Sequence, residues 1–203
     1  MPRLKFALVA LGTILLLVAC TDNSSYRRLR PNDVILAFGN SLTFGTGAPE
    51  GQSYPDQLHK LTRRRVINAG IPGEITAEGR QRLPALLDEH TPDLLILCHG
   101  GNDMLRQLDR QQTIDNLRAM IEAARARQVP VMLVAVPQPG LLLSPAPFYR
   151  ELGDQYGLLV DESIIRDTLT DRALKSDAIH PNAAGYDKMA RHIADLLKEA
   201  GAL

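Results

Sequence analysis

Three short segments carry residue types that can divide the work of an acyl transfer. Gly39-Asn40-Ser41-Leu42-Thr43 puts a serine on a tight turn directly after an apolar run. Gly100-Gly101-Asn102-Asp103 puts a side-chain amide at the end of a second apolar run. Asp177-Ala178-Ile179-His180-Pro181 sets a carboxylate three residues before a histidine. A serine hydroxyl is a weak nucleophile until a base takes its proton, and an imidazole is that base only when a partner holds its tautomer. The oxyanion that forms next needs N–H donors. Ser41, His180, Asp177 and Asn102 are candidates for nucleophile, base, orienter and oxyanion donor. The segment Asn68-Ala69-Gly70-Ile71-Pro72-Gly73 adds two glycines, and at Gly73 a backbone N–H can come close to a substrate oxygen. Taken singly, each segment has a plainer reading: Ser41 as a helix N-cap, residues 68–73 as a turn, Asp103 as a cap or loop acceptor.

The elements that must position these groups follow from the apolar pattern. Residues 34–38, 94–98 and 131–136 are continuous apolar runs, and 66–67 and 158–160 are shorter ones. Runs without polar alternation suit strands buried on both faces. Helical patterns lie between them. Ser53 with Asp56 reads as a capping box with Pro55 in the first turn. Ile114, Leu117, Ile121 and Ala124 form one stripe; Tyr186, Met189, Ala190, Ile193 and Leu197 form another, with Asn182 as its cap. Leu83, Leu86 and Leu87 belong to a helix that Pro84 starts or kinks. Alternating strands and helices predict an α/β fold with a parallel sheet covered on both sides, whose ligands sit beyond the carboxyl ends of the strands. Ser41 follows the first strand, residues 68–70 the second, and Asn102 the third, so the chemical segments converge on one edge.

Bulk properties exclude several classes. The 203 residues carry no net charge, which gives no electrostatic case for nucleic acid. His59, His90, His99 and His192 have no ligand-like spacing, and neither H-E-x-x-H nor C-x-x-C occurs, so no metal is expected. His99, directly before the second glycine turn, reads as structural. Gly45-Thr46-Gly47 does not continue as a dinucleotide fingerprint, and no G-K-[ST] is present. Residues 1–19 have a basic start (Arg3, Lys5) and an apolar stretch too short to span a bilayer comfortably, the form of a secretory signal. They end in Leu17-Val18-Ala19-Cys20, similar to a bacterial lipobox, in which Cys20 would be lipidated. Residues 20–31, polar and then basic (Arg27, Arg28, Arg30), read as a lipidated tether, and residues 32–203 as the domain. Cys98 then has no disulfide partner and reads as a buried thiol.

Together these blocks resemble those of the SGNH hydrolases, the GDSL lipase/esterase family. The resemblance covers nearly all of residues 32–203. It matches Ser41 to the family's nucleophile, Gly73 and Asn102 to its oxyanion donors, and Asp177 with His180 to its last block. Residues 79–87 are particularly similar to small bacterial periplasmic members with thioesterase, arylesterase and lysophospholipase activities. The resemblance implies a three-layer α/β/α sandwich with a five-stranded parallel sheet and serine-dependent hydrolysis of carboxylic acyl esters. It further implies an oxyanion hole of Ser41, Gly73 and Asn102, no metal or cofactor, and a small acyl ester or lipid substrate. The chain is expected to be monomeric and to sit in a bacterial envelope, held on the periplasmic side of a membrane through Cys20. Thr21, rather than Asp, favours the outer membrane. Asn40 stands where the family usually has Asp, a change expected to tune activity rather than abolish it. A carbohydrate O-acetyl ester is the alternative substrate, against which Gly140-Leu141-Leu142-Leu143 argues mildly. A non-catalytic surface lipoprotein is a further alternative, which a missing serine, histidine or oxyanion asparagine would have favoured.

Overall fold

The computed structural model describes residues 26–140 and 143–203. The expected signal segment, Cys20, Leu141 and Leu142 lie outside the described residues.

Five strands form one sheet: β1 (Val34–Gly39), β2 (Arg65–Gly70), β3 (Leu94–Cys98), β4 (Val131–Val134) and β5 (Leu159–Asp161). The order is β2-β1-β3-β4-β5, and every pair is parallel. The helices are α1 (Ser41–Phe44), α2 (Tyr54–Thr62), α3 (Thr76–His90), α4 (Gly101–Leu105), α5 (Arg110–Arg125), α6 (Pro147–Tyr156), α7 (Ile164–Leu169) and α8 (Ala183–Glu199). The crossover from β1 to β2 and the one from β2 to β3 run in opposite directions along the sheet. Right-handed connections therefore put α2 and α3 on opposite faces. Helix α8 packs beside α2 and α5 beside α3, which completes a three-layer α/β/α sandwich. β3 and β4 are buried throughout, as their unbroken apolar runs predict.

The sheet order reverses between β1 and β3. In open parallel sheets that switch point leaves a crevice beyond the carboxyl ends of the strands. Gly39 stands level with both Gly70 and Cys98, so three strands end together and release the chain into the same space. The Cys98 side chain is fully buried, and burial pushes its thiol up to about 12.

The local helix signals are realised. Ser53 and Asp56 make both bonds of the capping box, and Asn182 accepts from the Gly185 N–H. Pro84, by contrast, lies inside α3 rather than at its start. The helix begins eight residues earlier because the Asp103 carboxylate, from α4, accepts the Thr76 N–H at 3.0 and 3.1 Å. Glu78 Oε2 accepts the Ile75 N–H at 3.0 Å, but the cap on Thr76 comes from another element and leaves no trace in the neighbouring sequence.

The expected tether also differs. Residues 20–25 lie outside the described residues, but residues 26–31 are part of the domain. Tyr26 and Leu29 are buried. The Tyr26 hydroxyl donates to Val131 O at 2.6 Å and accepts from Leu159 N at 2.9 Å, at the starts of β4 and β5. Leu29 N–H donates to Ala202 O, and Arg64, just before β2, donates to Leu29 O. Arg27 pairs with Asp33, before β1, and with Asp93, before β3. The segment is a strap across the amino-terminal edge of all five strands. Arg27 and Arg30 pair with carboxylates that a polar, basic composition does not announce.

Candidate active site

The first turn is built by close approach. A Cβ on Gly39 would stand 2.1 Å from Cys98 O and 2.4 Å from Thr43 Oγ1, so only glycine lets α1 begin directly at the end of β1. Asn40, not Ser41, is the N-cap of α1: its Oδ1 accepts the Leu42 N–H at 3.3 Å. The capping reading of Ser41 is thereby corrected. Because Asn40 takes that bond, the Ser41 hydroxyl is left for another partner.

That partner is His180, 139 residues away, whose Nε2 lies 3.0 Å from Ser41 Oγ. His180 Nδ1 lies 2.8 Å from Asp177 Oδ2. Asp177 Oδ1 accepts the backbone N–H groups of Ile179 and His180, each at 2.8 Å. Burial works against the Asp177 carboxylate, but these bonds, that from the imidazole foremost, outweigh it and hold its pKa below the ordinary 3.8. An ionised carboxylate only accepts, so it places the ring hydrogen on Nδ1 and leaves the Nε2 lone pair facing the Ser41 O–H.

The loop bearing the histidine is pinned from two sides. Ser176 N–H donates to His180 O at 3.0 Å, and Asn182 N–H to Leu174 O at 2.9 Å. Tyr186, on α8, donates to Thr46 O at 2.8 Å, tying that helix to the segment after α1. Gly47, with φ +96°, lies where a Cβ would be 2.1 Å from Ser176 Oγ and 2.5 Å from Pro181 O. Its missing side chain lets the two loops meet. Sequence reasoning read Tyr186 as core and gave Gly47 no role; a lone glycine after a turn is too common a signal.

Asn102 is the second residue of α4, on the other side of the switch point. Its Nδ2 donates one hydrogen to Glu74 O at 2.8 Å, and the amide has a second hydrogen to offer. Gly73, with φ +80°, precedes Glu74, and Arg106 donates to its carbonyl at 2.8 Å. Gly73 thus stands beside Asn102 through Glu74, although it is not among the residues lining the cleft.

Behind Asn102 lies a charged cluster that sequence reasoning missed. Glu74 is 5% exposed and takes Arg82 through both oxygens, at 2.8 and 2.7 Å. His99 is fully buried, and its Nε2 lies 3.1 Å from Glu74 Oε2. Gly100 N–H donates to His99 Nδ1 at 3.0 Å, so the ring hydrogen is on Nε2, facing Glu74. Burial works against the Glu74 charge, yet Arg82 and His99 hold its pKa below the ordinary 4.5. The Arg82 guanidinium also lies over the Phe38 ring, 4.2 Å from its centroid. The expected structural role of His99 is what this geometry shows. The only advance signal for the cluster was an acid at 74 with an arginine eight residues on.

Ser41, Asn102 and His180 line one cleft. Its walls are mostly apolar, with Leu42, Leu105, Val136, Leu143, Leu169 and Ile179 among them. Among the described residues, no three His, Cys, Asp or Glu side chains gather as a metal site. The arrangement can transfer a proton from a hydroxyl to an imidazole while an amide donor faces the same space as an apolar group.

The chain is similar to known proteins over most of its length. Residues 37–188 match the profile of the GDSL-like Lipase/Acylhydrolase family. Thioesterase 1/protease 1/lysophospholipase L1 of Escherichia coli K12 is 29% identical over 174 residues, covering 82% of this chain and 84% of that one. The arylesterase of Vibrio mimicus is 32% identical over 177 residues, covering 82% and 88%. A crystal structure of TesA superposes with a TM-score of 0.74 at 27% identity, covering 83% of this chain and 99% of the other.

Proposed function

Because the chain belongs to the GDSL-like lipase/acylhydrolase family, the SGNH hydrolases, and is an ester hydrolase, we propose that Ser41, His180 and Asp177 form its catalytic triad. Ser41 Oγ attacks the acyl carbonyl as His180 Nε2 takes its proton. Asp177 holds the ring and stabilises the imidazolium. The Asn102 amide and the N–H groups of Ser41 and Gly73 bind the oxyanion. His180 then protonates the leaving alcohol or thiol, and water repeats the sequence on the acyl-enzyme. The observation that carries this reading is the unbroken path of 2.8 and 3.0 Å from Asp177 through His180 to Ser41, ending in an apolar cleft.

The cleft supports an acyl or aryl group as the part of the substrate that enters it, in keeping with relatives named thioesterase, lysophospholipase and arylesterase. Leu143 of the four-residue Gly-Leu stretch lines it. A sugar O-acetyl ester would place a two-carbon acyl group and several hydroxyls against walls that offer few polar partners. Ser41→Ala tests the triad: turnover should fall by roughly five to six orders of magnitude in a folded protein. A serine-directed phosphonate should label wild type and not the variant. Retained activity would overturn the assignment. Nitrophenyl esters of graded length, an acyl thioester, a lysophospholipid and an acetylated sugar then separate the substrate classes.

The remaining proposals concern location. Residues 1–19 act as a lipoprotein signal, Cys20 carries lipid, and a monomeric domain is held on the periplasmic side of a bacterial membrane, the outer one favoured by Thr21. The burial of Tyr26 and Leu29 assigns residues 26–31 to the domain and not to the tether. Labelling of cells with radioactive fatty acid, lost in Cys20→Ala, is the test.

A further inference from the structure

The strap fixes where the chain enters the domain, and that point is at the pole opposite the cleft. Tyr26 bonds to the first residues of β4 and β5, whereas Ser41 and Asn102 follow the last residues of β1 and β3. From residue 20 to residue 26 the chain reaches at most about 20 Å, even fully extended. A compact domain of this size is about 40 Å across. A lipid on residue 20 therefore cannot lie at the cleft end while Tyr26 keeps its bonds.

The same pole is basic. Arg28, Arg63 and Arg65 are exposed and have no acidic partner among the described residues. Arg63 and Arg65 flank the start of β2, and Arg28 shares a groove with Arg64, Arg191 and Lys198. Arg64 donates to the carbonyls of Thr62 and Leu29, which leaves its charge uncompensated. Asp33 and Asp93 take up Arg27 and Arg30, Asp195 takes up Lys198, and Asp187 takes up Arg191.

We propose that the sheet edge crossed by residues 26–33 is the membrane-facing pole of the protein. It seats on anionic phospholipid headgroups through Arg28, Arg63 and Arg65, and the catalytic cleft faces away from the bilayer that holds the chain. The proposal rests on the reading that Cys20 is the anchor. It also alters the meaning of the anchor. Tethering does not concentrate the enzyme on lipids of its own leaflet; it holds the cleft out to esters arriving through the aqueous phase.

Orientation can be tested whether or not cells acylate Cys20. Protein beginning at Cys20 is coupled through that thiol to maleimide lipid in vesicles containing phosphatidylglycerol. Cys98 does not compete, being buried with its thiol pushed up to about 12. The chain has no tryptophan, so Asn32→Trp in the strap and Leu108→Trp after α4 each supply a single donor for energy transfer to dansyl-labelled headgroups. Both positions are exposed, and activity on a soluble ester reports that each variant is folded. Transfer from position 32 should exceed that from position 108 severalfold. Equal transfer, or the reverse order, overturns the proposal. Combining Arg28→Glu, Arg63→Glu and Arg65→Glu should lower transfer from position 32 to the value found on neutral phosphatidylcholine vesicles; no change would overturn the headgroup contact. Absence of fatty-acid labelling in cells would refute the anchor alone and leave the orientation result standing.

Discussion

Asp177 uses both of its oxygens on the histidine segment, one on the ring and one on the backbone N–H groups of Ile179 and His180. In the proposed triad, removing it costs the base its orientation but leaves an imidazole near Ser41. His180→Ala should therefore be about as damaging as the loss of Ser41, and Asp177→Ala about tenfold to a hundredfold less so. Steady-state turnover on a nitrophenyl ester decides this, and a reversed order would make another group the base. Because its bonds hold the Asp177 carboxyl below its ordinary 3.8, it stays ionised as pH falls through that value. Asn102 differs in kind in the proposed mechanism: its amide would act on charge that appears only in the transition state. Asn102→Ala should lower kcat about 100- to 1000-fold, or about 3–4 kcal/mol, with KM nearly unchanged. A change confined to KM would assign the amide to ground-state binding.

Between elements, the important contact is the one that holds the loop before α3 against the turn into α4. Glu74 joins them twice, by its carbonyl to Asn102 and by its carboxylate to Arg82 and His99. Glu74→Gln keeps the shape but leaves the Arg82 charge, only a quarter exposed, without its partner. The variant should lose about 3 kcal/mol of stability. It should also lower kcat about tenfold through slack in Asn102, again with little effect on KM. The pH dependence has a definite sign. Glu74 has a folded pKa below its ordinary 4.5, so its contribution is present above that value and is lost as pH falls through the folded one. Urea melts between pH 3 and pH 7 should show a shallower acid limb for Glu74→Gln than for wild type. Parallel limbs would mean that the pair does not stabilise the fold.

For the whole molecule, the strap divides two tasks between two ends of one sheet. The carboxyl ends of the strands hold the cleft, and the amino ends hold residues 26–33 and the point where the chain enters. Under the proposed anchor at Cys20, chemistry and attachment are separable. Tyr26→Phe leaves Val131 O and Leu159 N without their buried partner, and should lower stability by about 1–3 kcal/mol. Both kcat and KM on a soluble ester should stay at wild-type values, since nothing in the cleft touches Tyr26. A fall in kcat comparable to that of Asn102→Ala would show that the two ends are coupled.

Much of this protein is readable in the chain because the signals are short-ranged. An unbroken apolar run marks a strand covered on both faces, and Ser53 with Asp56, or Asn182 with Gly185, closes a hydrogen bond within three residues. Such bonds depend on local spacing alone, so strand order of appearance, two helix starts and the blocks around Ser41, Asn102 and His180 were legible. The family resemblance extended them to a three-layer sandwich. Other features needed the fold. Ser41 and His180 are 139 residues apart, and only the shared edge of the sheet puts an imidazole at the hydroxyl. Whether Asn40 or Ser41 caps α1 depends on which side chain has a competing partner, and that partner comes from the far end of the chain. Helix α3 starts at Thr76 because Asp103 reaches it from α4. Glu74, Arg82 and His99 form a buried charged group, and Arg27 with its neighbours is a strap rather than a tether. Composition makes such residues look solvated. A charge leaves water only when tertiary packing brings an opposite charge or a hydrogen-bond partner to it, and no window of neighbouring residues contains that information.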